Sequence, residues 1–299
     1  MEGIRKIMIH LWFDTEAEEA SEFYHKTFEN SRILSKRVIP GTPSGDVQSF
    51  TMEIEDISLM LLSAGPYFKL NPSVSFMISC TDKNEVRKYW NAFMEGGKAL
   101  MPLDTYDFSE LYGWAEDRFG VSWQVMHVKE AQMDIRIRPA LMFTGKNCGH
   151  AEEAIGYYTG IFKNSEIKSV SRYGDNFKPN EPEMLNFAEF VLEGQSFSIM
   201  DSAYEHGFNF NEAVSFIINC DTQEEIDYYW ESLSSVPEAE QCGWLKDRYG
   251  VSWQITPSVM NDIMHEADEK TVARITEAFL KMKKFDLEEI ERLVQKHYD

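Results

Sequence analysis

The sequence predicts an α+β fold: two tandem copies of one domain, four βαβββ modules in two pairs, followed by C-terminal helices. Three observations predict it. A long motif occurs twice, as GWAEDRFGVSWQV at Gly113–Val125 and GWLKDRYGVSWQI at Gly243–Ile255, at an offset of 130 residues. Two further pairs keep the same order: FKLNPSVSFMISC (Phe68–Cys80) with FNFNEAVSFIINC (Phe208–Cys220), and AEEASEFYHKTFENS (Ala17–Ser31) with AEEAIGYYTGIFKNS (Ala151–Ser165). Such self-similarity marks a duplicated architecture. Within one copy, the hydrophobic period switches between strand and helix in the order βαβββ, and does so twice. The repeats divide the chain into a first domain at residues 1–134, a second at 135–258 and an extension at 259–299.

The elements of the first copy follow in order. Lys6–Phe13 is a β-rich run. Glu16–Phe28 is helical, with Ala17, Ala20, Phe23, Tyr24, Thr27 and Phe28 on one face and glutamates opposite. Ser31–Pro40, Asp46–Ile54, Ile57–Ser63 and Val74–Cys80 read as strands. Asp82, with Glu85 three residues on, caps a second helix whose buried stripe is Val86, Tyr89, Trp90 and Phe93. Strands near Ala99–Pro102, Gly113–Asp117 and Val121–Val128 close the copy. The extension carries two amphipathic helices, Thr271–Lys283 and Leu287–Tyr298, with a capping box at Asp286 and Glu289. The extension reads first as packing against the tandem core, and second as a lid or a partner-binding arm.

Composition narrows the function. The net charge is -21, from 50 acidic and 29 basic residues spread along the 299-residue chain. Sequence-independent nucleic-acid binding needs Lys and Arg to displace counterions, so it is not expected. Anionic membrane surfaces are disfavoured for the same reason, and no apolar run approaches the roughly 20 residues of a spanning helix. The start MEGIRKIMIHLWF lacks the features of a signal peptide. Four cysteines in a chain of this length form no disulfide framework, so a cytoplasmic location is expected. Pairing of the halves within one chain lowers the need for a homodimer, and either a monomer or a homodimer is compatible.

The run LWFDTEAEEASEFYHKTF, its partner LMFTGKNCGHAEEAIGYYTGIF and the two copies of W-x-x-D-R-[FY]-G-V-S-W-Q resemble the PhnB-like proteins. These belong to the vicinal-oxygen-chelate superfamily, with glyoxalase I, bleomycin-resistance proteins and extradiol dioxygenases. The tail VARITEAFLKMKKFDLEEIERL is similar to a C-terminal extension of some PhnB-like proteins. The resemblance implies tandem glyoxalase/bleomycin-resistance-type domains whose sheets curl around a cleft. Some relatives carry the name 3-demethylubiquinone methyltransferase. The sequence gives methyl transfer no support, because its sole Gly-Gly pair, Gly96–Gly97, follows a helix as a stop rather than opening one as a phosphate-binding turn.

Metal-dependent members of that superfamily hold a divalent ion in the cleft. The resemblance places the matching last-strand positions at Gln124 and Gln254, the fifth-strand positions at Ser75 and Ser215, and the first-strand positions near Ile7 and Ile137. The fourth-strand positions fall near Leu62, and near Asp201 or Ser202. The Ile, Ser and Gln positions offer neither the charge nor the imidazoles a divalent ion wants, so no metal is expected. A rival set of His10, Glu53, His127, His150 and Glu193 is scattered: His10, three residues from Ile7, is expected on the opposite face. Asp117–Arg118 and Asp247–Arg248 read as structural turns before Gly120 and Gly250.

The expected activity is the binding of a small organic molecule in a cleft, without cofactor. Ser75, Gln124, Trp114, Tyr106, Ser215, Gln254 and Trp244 are the candidate cleft residues. Tyr106 lies in an aromatic segment that the second copy lacks, which favours the first copy's cleft. One alternative is a lyase, isomerase or dioxygenase using one divalent metal ion as a Lewis acid. Another is a non-catalytic interaction scaffold. Whether the chain is an enzyme is left open by its sequence.

Overall fold

The computed structural model describes residues 5–133 and 135–295. The first module comprises β1 (Ile7–Phe13), α1 (Ala17–Thr27), β2 (Ser31–Thr42), β3 (Gly45–Ile54) and β4 (Ile57–Ser63). The second comprises β5 (Val74–Cys80), α2 (Lys83–Met94), β6 (Lys98–Tyr106), β7 (Ser109–Glu116) and β8 (Ser122–His127). The third comprises β9 (Ile137–Phe143), α3 (Ala151–Ile161), β10 (Glu166–Arg172), β11 (Leu185–Leu192) and β12 (Gln195–Asp201). The fourth comprises β13 (Val214–Cys220), α4 (Gln223–Leu233), β14 (Trp244–Lys246) and β15 (Ser252–Pro257). It keeps two strands after its helix; a one-turn 3-10 helix at Pro237–Ala239 stands where the shortened sequence has no room for a third. The tail carries α5 (Val259–Glu266), α6 (Glu269–Phe279) and α7 (Leu287–Gln295). Among the described residues no helix is long and apolar enough to cross a membrane.

This is a mixed α+β fold with duplicated modules. Its sheets join modules across the repeat boundary. One compact unit is drawn from Met1–Ile54, Ser58–Lys69 and Asn211–Asp299, the other from Glu55–Ile57 and Leu70–Phe210. The first unit holds a seven-stranded sheet in the order β14-β15-β13-β1-β4-β3-β2. At its centre β1 runs antiparallel to β13, with Ile9 opposite Phe216 and His10 opposite Ser215. The second unit holds an eight-stranded sheet in the order β10-β11-β12-β9-β5-β8-β7-β6, centred on β5 antiparallel to β9 with Ser75 opposite Ala140. Each unit therefore combines one module from each sequence repeat.

The helices follow their apolar stripes. α1 buries Ala17, Ala20, Tyr24 and Thr27 and lies on β2 and β3. α2 buries Val86, Tyr89 and Phe93, while Trp90 is only half-buried. The α2 cap is Asp82, whose carboxylate accepts from the backbone N–H of Asn84 at 2.8 Å. Phe93 stacks on Trp123 at 4.7 Å, which sets that indole beneath the helix and turns its neighbour Gln124 to the other face of β8.

The recurring W-x-x-D-R-[FY]-G-V-S-W-Q motif is a turn built twice to one design. Asp117 Oδ1 accepts from the backbone N–H groups of Phe119 and Val121 at 2.9 and 3.0 Å, and Oδ2 from the Trp123 indole at 2.9 Å. Asp247 does the same for Tyr249, Val251 and Trp253. Gly120 and Gly250 take φ of +87° and +83°, the left-handed conformation the turn needs.

The tail departs from expectation. A third helix, α5, precedes the two expected. The Asp268 carboxylate accepts from Thr271 N at 2.8 Å and so starts α6 at Glu269. α6 stops at Phe279, because the following turn feeds Met282 and Lys283 carbonyls to the backbone N–H groups of Cys242 and Gly243 at 2.9 and 2.7 Å. Glu289 N donates to Asp286 Oδ1 at 3.0 Å, the expected cap of α7. Tyr298, expected at the end of that helix, and residue 134, the expected domain boundary, lie outside the described residues.

Candidate functional site

Alternation along β1 fixes the site. Ile7, Ile9, Leu11 and Phe13 form one apolar face of the strand; Met8, His10 and Trp12 form the other. His10 and Trp12 line a cavity of about 650 Å³ that lies wholly in the first unit. Met60 and Leu62 of β4, Ile217 of β13 and Gln254 of β15 share its wall. The expected orientation of His10 is thus corrected. Taking Ile7 as the cleft-facing position is one residue out of register, and a one-residue slip exchanges the faces of a strand.

His10 is 1% exposed, and its Nδ1 is buried without a hydrogen-bond partner. Burial depresses its pKa to about 3, so the ring is neutral at any physiological pH. It meets the Trp244 ring edge-on at 5.3 Å and the Trp12 ring at 6.4 Å. Trp12 is fixed by its indole N–H, which donates to Gly65 O at 2.7 Å, and by Phe68 at 5.0 Å. Ser252 Oγ, also in the cavity wall, is a second buried polar atom without a partner. Unsatisfied buried polar atoms cost about 1–3 kcal/mol each, and they mark where a ligand or water completes the network.

The candidate residues fall into two groups. Ser215, Gln254 and Trp244 stand together in the first unit. Gln254 Nε2 donates to Ser215 Oγ at 2.9 Å, beneath the cavity wall that Gln254 and Trp244 line. Ser75, Gln124, Trp114 and Tyr106 stand together in the second unit, where their polar atoms are satisfied within the protein. Gln124 Nε2 donates to Ser75 Oγ at 2.7 Å, and Gln124 Oε1 accepts from the Tyr112 hydroxyl at 2.7 Å. The Trp114 indole donates to Ser122 Oγ at 2.7 Å. Tyr106 donates to Pro102 O at 2.9 Å and meets Tyr112 edge-on at 5.5 Å. Its segment is the β6–β7 hairpin rather than a loop.

The differences between equivalent positions open the first unit. Tyr112 is replaced by Cys242, so Gln254 has no phenol donor beside it. Ser122 caps Trp114, whereas Trp244 leans on His10 and leaves Ser252 free. Arg138 of β9 stands where Met8 stands in β1, and it donates to Ser198 Oγ at 2.8 Å and pairs with Glu189 at 2.6 Å. The tail closes one side of the cavity through Met260, Asn261, Phe279, Leu280 and Phe285.

The donor chemistry does not fit a divalent cation. The cleft face of the first unit offers one imidazole and one amide among Met8, Met60 and Ile217, and that of the second unit carries Arg138. Such ions want carboxylates or several imidazoles. Glu212, at the cavity wall, is held by Lys246 at 2.6 Å. Among the described residues no group of three His, Cys, Asp or Glu side chains is placed to hold a metal. The rival residues are dispersed. Glu53 pairs with Arg32 at 2.8 Å, Glu193 accepts from Asn164 Nδ2 at 3.2 Å, and His150 pairs with Glu153 at 3.2 Å. Asp201 accepts from the backbone N–H groups of Gly149, Ala151 and Leu185 and so anchors the start of α3.

Comparison with known proteins agrees with this architecture. The family model described as 3-demethylubiquinone-9 3-methyltransferase matches residues 5–126 and again residues 135–256. A solved structure from Bacillus cereus, described as a PhnB protein, is 28% identical over 43% of this chain and 100% of its own, with a TM-score of 0.38. Glyoxalase I from Zea mays covers 88% of this chain and 97% of its own at 12% identity and a TM-score of 0.55, a likeness of fold. No curated protein matches the chain.

Proposed function

This chain belongs to the family described as 3-demethylubiquinone-9 3-methyltransferase, and on that premise we propose that it binds a small organic molecule in the first unit's cavity, without a catalytic metal. The single observation that carries the reading is the pair of orphaned polar atoms, His10 Nδ1 and Ser252 Oγ, in an aromatic-walled cavity of about 650 Å³. That volume lies within the range of small-molecule sites, which are mostly apolar with a few converging polar groups. His10, neutral and unpartnered, supplies a hydrogen bond; Gln254 and Ser252 supply others; Trp12, Phe68 and Trp244 enclose the apolar body. The family's name is not carried to this chain as an activity. The sheets here pair three βαβββ modules and one βαββ module, and methyl transfer on a doubly wound sheet would need a glycine-rich strand-to-helix turn.

Titration with N-phenyl-1-naphthylamine, a neutral dye that fluoresces in apolar surroundings, tests the reading. Saturable binding of one equivalent is expected, unchanged after exhaustive treatment with a chelator. Leu62→Trp, which extends a ring into the cavity from β4, is expected to abolish it. Binding that survives Leu62→Trp, or that requires a stoichiometric metal found by elemental analysis, would overturn the proposal.

A further inference from the structure

We propose that the occupant of this cavity is an organic anion, its oxyanion held by Arg37 and its apolar body enclosed by the tryptophans; the inference rests on the binding reading above. Arg37 lies in β2 opposite Ser49 of β3. Ser35, Arg37 and Ile39 alternate with residues that face away, and all three line the cavity. The Arg37 side chain is half-buried, and it makes no hydrogen bond or ion pair with any described residue. Its neighbours on the same strand behave differently: Arg32 is paired with Glu53, and Lys36 with Glu18. An arginine with no ion-pair partner among the described residues, in a chain of net charge -21, and turned into a cavity, is a placed charge rather than a solvated one.

The other charged groups of the wall leave that role open. Glu212 is neutralised by Lys246 at 2.6 Å, and Glu238 is exposed to solvent. The acidic surface elsewhere is screened beyond a Debye length of about 8 Å at physiological salt, so it does not set the preference inside the cavity. A guanidinium presents a planar fork that matches a carboxylate, sulfonate or phosphonate with two parallel hydrogen bonds. The aromatic wall of Trp12, Phe68 and Trp244 suits a flat or branched apolar body, and neutral His10 adds a further hydrogen bond. The ligand class is therefore an amphipathic molecule with one oxyanionic end.

The experiment compares two dyes with one aryl skeleton, 8-anilinonaphthalene-1-sulfonate and its neutral parent N-phenyl-1-naphthylamine, on the full chain and on Arg37→Gln. The Arg37 guanidinium makes no hydrogen bond or ion pair with any described residue, so the variant is expected to melt like the parent. Arg37→Gln is expected to weaken the sulfonate about tenfold and leave the neutral dye unchanged, the effect of losing one charge-assisted interaction. Equal effects on both dyes, or none on either, would overturn the anion assignment while the neutral dye's binding keeps the cavity reading. Absence of binding by either dye to the parent protein would overturn both. Leu62→Trp shows that the signal comes from this cavity: binding of the sulfonate that persists in it removes the support for Arg37.

Discussion

The hydroxyl of Tyr112 donates to Oε1 of Gln124 at 2.7 Å, and the residue at the matching position beside Gln254 is Cys242. Burial holds the phenol well above its ordinary pKa, so it is a dependable donor. Tyr112→Phe leaves the amide oxygen of Gln124 buried without a partner. A loss of about 1–2 kcal/mol in chemical unfolding is expected. Cys242→Ser, in the other unit, removes no such bond, and its urea midpoint should move by much less.

Asp247 is fully buried and holds two backbone N–H groups and an indole. Asp247→Asn keeps an oxygen for the backbone but turns an N–H donor toward the Trp253 N–H. A destabilisation of about 2–4 kcal/mol is expected, from one lost charged-acceptor bond and one clash of donors. Asp117→Asn should cost the same within error, since the two turns share partners and distances. Unequal costs in denaturant titrations would contradict the equivalence.

Gly243 and Gly250 both take φ near +80°, and they differ in surroundings. A Cβ on Gly243 would lie 2.4 Å from Cε2 of Phe285, while one on Gly250 would meet nothing within 4 Å. Gly250→Ala should cost only the conformational term, about 1 kcal/mol. Gly243→Ala must also displace Phe285, and with it the tail. Faster limited proteolysis within the 280–295 segment is expected for Gly243→Ala alone.

His10 carries a signed pH dependence. Its folded pKa, about 3, lies below the unfolded value of 6.5. The unfolded state therefore binds the proton first, and stability falls as pH drops from 6.5 toward 3. At pH 5 the loss from this residue is about 2 kcal/mol relative to neutral pH. His10→Leu abolishes that contribution. Unfolding curves at pH 7 and pH 5 should lie closer together for the variant than for the parent.

Much of this molecule was legible in its sequence because duplication supplies its own internal standard. The order of strands and helices in the first three modules, the Asp turn before Gly120 and Gly250, and the burial of Trp123 all follow from local pattern, whereas the fourth module lacks one expected strand and the tail gains α5. Three features of the clefts did not follow either. The orientation of His10 depended on strand register, which the apolar run IMIHLWF fixes only once its neighbour β13 is known. The state of each cleft depended on single replacements, Tyr112 by Cys242 and Met8 by Arg138, whose effect lies in cross-strand contacts. Arg37 gave no signal at all, because an arginine in an alternating strand reads as a solvent-facing residue until the opposite wall, α5 and α6, is placed.

The cross-repeat pairing has a consequence during synthesis. The second unit comes almost entirely from one contiguous stretch, Leu70–Phe210, and all of it has been translated before Asn211 is added. The first unit cannot close so early: β1 waits for β13, roughly 200 residues downstream, a separation of the kind that slows folding. Until then β1 has β4 on one edge and lacks β13 on the other. The emerging chain therefore completes its self-satisfied half first, and the half with the open cavity is the last to form.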